Sequence, residues 1–329
     1  EVCPMGKLTG TKTLSGPFST DATNTMCDST QLWRSTNANT CFVVGNTITV
    51  TDLQVTGTRP LALVANTINV TGHLDAASRV TDGKTGPNST ANNTCGNPGT
   101  PSTGNGAGGG VGASFAPQGM KAGSGGNGFG GGGASAINPF LTVPPGTLRA
   151  RCRGQTGATG NGGGGLGGYG GGAVYLLGAQ TISIGAAGIV DACGAGGGTA
   201  GKEAGGGGGG SGGMIILWAG TFSLTAGAIV VANGGSGSTG GDSNQGGAGT
   251  RGNDPDYANP QTPAPGPTTP AGKGGNGFAQ GTSATAATNG GEGTATGDGG
   301  GGGGGAGGYI QSNMALTNAK VSPAANVVQ

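Results

Sequence analysis

Residues 174–194, VYLLGAQTISIGAAGIVDACG, and residues 214–234, MIILWAGTFSLTAGAIVVANG, are two copies of one pattern. A gapless shift of 40 sets Leu177 against Leu217, Ile182 against Phe222 and Ile184 against Leu224. It also sets Leu176 against Ile216, Ile189 against Ile229, Gly178 against Trp218 and Gly194 against Gly234. A third copy, LALVANTINVTGHLDAAS at 61–78, fits after a one-residue deletion, with Leu63, Ile68, Val70 and Leu74 in the equivalent places. YIQSNMALTNAKV at 309–321 is a weaker fourth candidate, and 8–16 and 47–55 supply material for further turns. Internal repetition of this kind marks a stacked architecture.

Each copy holds three short pieces, such as VYLL, TISI and IVDA, joined by Gly, Ala, Asn or Thr. The alternation Ile-Ser-Ile and Ile-Asn-Val has period two, so one face of each piece turns inward. Three strands per turn with equivalent side chains superposed is the arithmetic of a parallel β-helix, or β-solenoid. Parallel neighbours lie about 4.8 Å apart. The expected interior ladders are Leu63–Leu177–Leu217, Ile68–Ile182–Phe222 and Val70–Ile184–Leu224. A β-sandwich built from the same strands is the rival all-β fold. Helices are disfavoured, because each interior glycine costs about 1 kcal/mol there.

Between the copies run tracts dominated by the 84 glycines, at 104–133, 154–172, 194–213, 234–252 and 272–308. They are either flexible linkers or ordered, polyglycine-II-like extended chains whose missing Cβ atoms permit close backbone approach. Ordering costs about 1–2 kcal/mol per residue against about 1 kcal/mol net per hydrogen bond. Order therefore requires that tracts bundle. The chain divides into an N-terminal segment at 1–45, the repeat region at 46–252, a proline-rich strap at 253–272, and a glycine-rich tract with a final strand at 273–329. Tyr169, Phe129, Phe278 and Tyr309 border or interrupt the tracts as apolar pins.

Charged residues make up 8% of the chain and the net charge is +1, which gives no basic stripe for nucleic acid. No run is long enough for a transmembrane helix. Cys3, Cys27, Cys41, Cys95, Cys152 and Cys193 lack zinc-ligand spacing and read as disulfide candidates in an oxidising compartment. Fifteen pairings are open, with Cys3, Cys27 and Cys41 set to staple the first segment. The start at Glu1 suits a mature secreted chain.

The forms TISIGAAGIVDACGAGGG at 181–198 and GSGGMIILWAGTFSLTAGAIVVANGG at 210–235 resemble bacterial secreted and cell-surface glycine-rich β-helix proteins. The tract GSGGNGFGGGG at 123–133 is similar to those of glycine-rich phage tail adhesins. Both resemblances imply a surface, fibre or adhesion role.

No enzyme site stands out, and neither a metal nor a cofactor is implied. Asp75 and Asp191 occupy nearby places in successive copies, but the third copy has Val or Ala there. His73, the only histidine, shares a strand face with Asp75. Arg149, Arg151 and Arg153 are the densest cationic cluster, suited to a solvated strand face or to contact with an acidic surface glycan or lipid head group. Trp218 suits core packing or a sugar or subunit contact. The tail AANVVQ, with Val327 and Val328, suits strand addition to a neighbouring subunit. An ice-binding protein would need a flat, regular Thr array, and the Thr positions show no such period. The expected function is a self-assembling structural subunit of an extracellular fibre or surface layer. The alternative is a monomeric adhesin that binds a surface glycan.

Overall fold

The computed structural model describes residues 8–27, 32–33, 38–89, 99–115, 123, 125–128, 131–133, 147–150, 152–243, 247–281 and 284–328. Among them every regular element is a strand. In chain order these are β1 (Thr11–Ser19), β2 (Leu32–Trp33), β3 (Ala38–Asn39), β4 (Cys41–Thr56), β5 (Leu61–Val70), β6 (His73–Asp75), β7 (Ala173–Ile184) and β8 (Ile189–Asp191). They continue as β9 (Met214–Leu224), β10 (Ile229–Val231), β11 (Ala279–Gln280), β12 (Ala284–Thr285), β13 (Tyr309–Ser312), β14 (Lys320–Ser322) and β15 (Asn326–Val327). Two short antiparallel pairs, β2–β3 and β11–β12, stand apart. The other eleven strands form one sheet, and all its pairs are parallel.

The sheet curls because its long strands change partners along their length. The first part of β4 pairs with β5, while Leu53 and Gln54 pair with Leu74 and Asp75 of β6. Three stacks result, a topology compatible with a β-solenoid. The first contains residues 41–45, 61–65, 174–178, 214–219, 309–312 and 326–327. The second contains 11–14, 47–50, 67–70, 181–184 and 221–224. The third contains 16–19, 53–56, 73–75, 189–191, 229–231 and 320–322. The first and last segments of the chain thus contribute strands to the same sheet as the repeats.

Alternation buries one row per pleat. Ile48, Ile68 and Ile182 are fully buried and lead to a partly buried Phe222 at the end of the row. Val50, Val70, Ile184 and Leu224 form the row beside it. One expected ladder needs correction. Leu63 faces Leu176, which faces Leu217, whereas Leu177 faces Val64 and Trp218. The register shifts between Gly178 and Thr181, where β7 carries one residue more than β9. A bulge of this kind changes the side-chain phase upstream of it. Accordingly Ala219, not Trp218, takes the place opposite Gly178.

Every long excursion leaves the sheet at one corner, after the third stack and before the first. The segments between β6 and β7, β8 and β9, and β10 and β13 all do so. Their glycines hydrogen bond with period three. Gly299, Gly300 and Gly301 donate to Gly241, Ala107 and Gly291, while Gly302, Gly303 and Gly304 donate to Ser238, Gly110 and Thr288. Successive residues address three different neighbouring chains, and each third residue returns to the same one. Such packing requires missing side chains. A Cβ on Gly302 would lie 2.0 Å from the Gly207 carbonyl oxygen, well inside van der Waals contact. Phe278 and Tyr309 are buried where the tracts meet the sheet, and Tyr309 lies 6.1 Å from Phe115 between ring centroids. Phe129 lies outside the described residues.

The Cys27–Cys41 disulfide ties the loop after β1 to the start of β4, over the buried Leu14 and Phe18. Cys152 is also disulfide-bonded. Cys193 is not: it is a buried free thiol packed with Ile229 and Val231. It lies two residues past the end of β8, in a cluster against which Tyr257 of the strap packs. Cys3 and Cys95 lie outside the described residues.

The glycine packing makes a stability prediction. Gly302→Ala should cost about 3 kcal/mol or more, since a methyl group meets a main-chain oxygen that cannot yield locally. Gly163, with nothing within 4 Å of the position its Cβ would take, should accept Ala with a change within about 1 kcal/mol. Denaturant unfolding of the two variants beside the parent checks the contrast.

Candidate functional site

The densest group of ionisable side chains grows from the outer face of the third stack. On β6, Leu74 points into the core and its neighbours His73 and Asp75 point away from it. The register sets Asp191 beside Asp75 and leaves Val231 beyond. Arg79 and Lys84 reach back from the chain after β6. Arg79 Nη1 lies 2.7 Å from Asp75 Oδ2, and its Nη2 lies 3.8 Å from Asp191 Oδ2. Lys84 Nζ donates to Asp75 Oδ1 at 2.8 Å and to the carbonyl oxygens of Asp75 and Ala77. His73 Nε2 is 3.4 Å from Asp191 Oδ2, so the histidine meets the carboxylate of the next turn.

The strap closes this cluster. The Tyr257 ring lies 4.4 Å from that of His73 between centroids. Asp254 accepts from the backbone N–H groups of Val80 and Gly196, joining two excursions. Burial pushes the Asp191 carboxyl upward, but His73 and the Cys193 N–H outweigh it and hold the group below its ordinary value. Burial, with Asp191 next to it, raises the Cys193 thiol. Burial lowers Lys84, partly offset by Asp75. Burial also opposes the charge of Arg79, but the Asp75 hydrogen bond prevails and raises it.

One oxygen or nitrogen from each of His73, Asp75 and Asp191 can lie within 4.8 Å of the others, close enough to share a cation. Arg79 and Lys84 already occupy the two carboxylates. A divalent ion would have to displace both, so the arrangement acts as an ion-pair clamp between the sheet and the chain that follows β6.

The other expected contact residues are dispersed. Arg153 stacks on Tyr169, 4.4 Å from the ring centroid, and its Nε donates to the Gly167 carbonyl. Arg149 is half-buried, and burial lowers its guanidinium below its ordinary value. Arg151 lies outside the described residues. Trp218 ends an outer row of Val44, Val64 and Leu177 and is 39% exposed, so the core-packing expectation fails for it.

The C-terminal tail pairs within its own chain. Asn326 and Val327 lie beside Gln311 and Ser312 of β13, and Val328 N–H donates to the Ser312 carbonyl. Val327 remains 47% exposed. At this end residues 313–319 cross the second stack without forming a strand. Leu316, Ala319, Val321 and Ala325 pack against the core and are themselves partly buried. A cavity of about 260 Å³ remains between Phe222–Leu224 and the crossing chain at Met314, Ala315, Thr317 and Asn318. The two ends of the stack therefore differ: one is tied down by a disulfide, and the other is loosely covered.

No protein-family model, curated protein or solved structure matches this chain. Among the described residues no helix is long and apolar enough to cross a membrane.

The clamp carries a testable pH dependence. Asp191 is held below its unfolded value, so its contribution is complete above about pH 4 and disappears as pH falls through the lower folded value. Asp191→Ala should destabilise the protein by about 1–3 kcal/mol at neutral pH, because the buried Cys193 N–H loses its acceptor and Arg79 is left with Asp75 alone. The difference from the parent should shrink in acid. Thermal melts of both proteins between pH 7 and pH 3 measure it.

Proposed function

We propose that this chain is a structural subunit of an extracellular fibre or surface layer, built as a short β-solenoid with a polyglycine-II-like slab. The observation that carries the reading is the C-terminal end, where irregular chain crosses the second stack over the partly buried Phe222 and Leu224 and where Val327 lies exposed. Unprotected strand edges template further pairing. The usual guards of charge and bulk are sparse, since the final tail, AANVVQ, carries no charged side chain. A second copy adding at this edge would bury Phe222, Leu224 and Val327 and extend the parallel stack.

The disulfides support an oxidising location outside the cell. The period-three hydrogen bonding supports the ordered reading of the glycine tracts, because each chain exchanges bonds with several neighbours at once. A slab of that kind is stiff without needing a large side-chain core, a property suited to a fibre.

Sedimentation velocity and cryo-electron microscopy across a concentration series test the proposal. The parent should form regular filaments, and Val327→Lys should remain dispersed while keeping its thermal unfolding. Dispersed parent protein at every concentration would overturn assembly and favour the adhesin alternative, in which the slab and Trp218 face a surface glycan.

A further inference from the structure

The register of the second stack assembles two rows that the linear sequence scatters. Thr11, Thr47, Thr67, Thr181 and Thr221 follow one another across β1, β4, β5, β7 and β9. Two residues along, Thr13, Thr49, Asn69, Ser183 and Ser223 form a parallel row. All ten point away from the core, because the residue between each pair faces the interior row that includes Ile48, Ile68 and Ile182. None of the ten is buried, and those on the outermost rungs are exposed. None is charged or aromatic. The sequence expectation that Thr forms no regular array is therefore corrected. The period is spatial, and insertions of unequal length between rungs conceal it.

Three features suit this face to ordered water. Threonine is stiff at χ1, so backbone register positions its hydroxyl and methyl together. The hydroxyls of Thr181 and Thr221 also hydrogen bond to each other at 3.1 Å. The third feature is spacing. Parallel strands place rungs about 4.8 Å apart, and two residues along a strand span about 6.6 Å. Oxygens joined by tetrahedral hydrogen bonds of about 2.75 Å repeat about every 4.5 Å in one plane and about every 7.3 Å along the perpendicular axis. The mismatch is about 0.3 Å between rungs, roughly 1 Å over the five rungs, and about 0.7 Å between the two rows.

We propose that the outer face of the second stack binds ice. The two rows immobilise a layer of water whose repeat matches the crystal, with methyl groups between the hydroxyls holding that layer off the bulk. A crystalline polysaccharide is less well served, since sugar faces are commonly engaged by aromatic rings and both rows have none. The last rung, Thr221 and Ser223, borders the C-terminal edge, whereas Thr67 and Thr181 lie on rungs inside the stack, so substitutions at those two positions test ice binding apart from assembly.

Ice-affinity partitioning and thermal hysteresis of the full chain test the proposal. The parent should enter ice and depress the freezing point below the melting point. Thr67→Lys and Thr181→Lys, each placing a long cation in the middle of the face, should lose both effects while retaining the parent circular dichroism and melting temperature. Gln261→Lys, an exposed position on the strap, should retain both. A parent no more active than serum albumin at equal concentration would overturn the proposal. So would folded Thr67→Lys and Thr181→Lys proteins that keep full activity. Thr67-dependent capture on crystalline cellulose or chitin without ice activity would overturn it in favour of a glycan ligand. Filament formation by the same variants reports separately on assembly.

Discussion

Parallel main-chain pairing in constant register is the constraint on which this molecule depends. Each turn must place its strand beside the previous one without a slip along the second stack. Otherwise the isoleucine row leaves the core and the threonine row loses its alignment together. The single bulge in β7 lies between the first and second stacks, at the exposed Ala179 and Gln180. There the extra residue projects to solvent, and the phase is restored before Thr181.

The same register governs the glycine slab. Because every long excursion departs from one corner, the strands of the third stack deliver their continuations side by side. Ala192 N–H donates to Val231, and Gly194 N–H to Asn233, before the chains pass fully into the tracts. The sheet thus fixes the starting phase of chains that lack side chains to find it for themselves. Bundling then lets one tract satisfy three neighbours, which offsets the ordering entropy that an isolated tract would not overcome. Strap contacts through Asp254, Asn233 and Tyr257 hold this junction from outside.

Much of the core was legible because burial imposes alternation. Ile68, Ile182 and Phe222 can be aligned without coordinates, as can Val70, Ile184 and Leu224. The Leu177 assignment failed because an inserted residue leaves no mark in a gapless comparison. The ion clamp was half visible: His73 and the two aspartates sit on repeats, but Arg79 and Lys84 come from irregular chain with no periodic signal. The threonine face was invisible for the opposite reason. Its pattern is regular in space, while the excursions stretch the intervals between rungs to unequal lengths, so only strand pairing reveals it.

The hydrogen-bonded slab has a thermodynamic consequence. Hydrophobic burial gives folded proteins a large heat capacity of unfolding and a driving force that fades on cooling. Exposure of polar backbone changes heat capacity in the opposite sense. A fold with so much of its interior made of peptide groups has a shallow dependence of stability on temperature. It is protected against unfolding in the cold by the composition that makes its apolar core small.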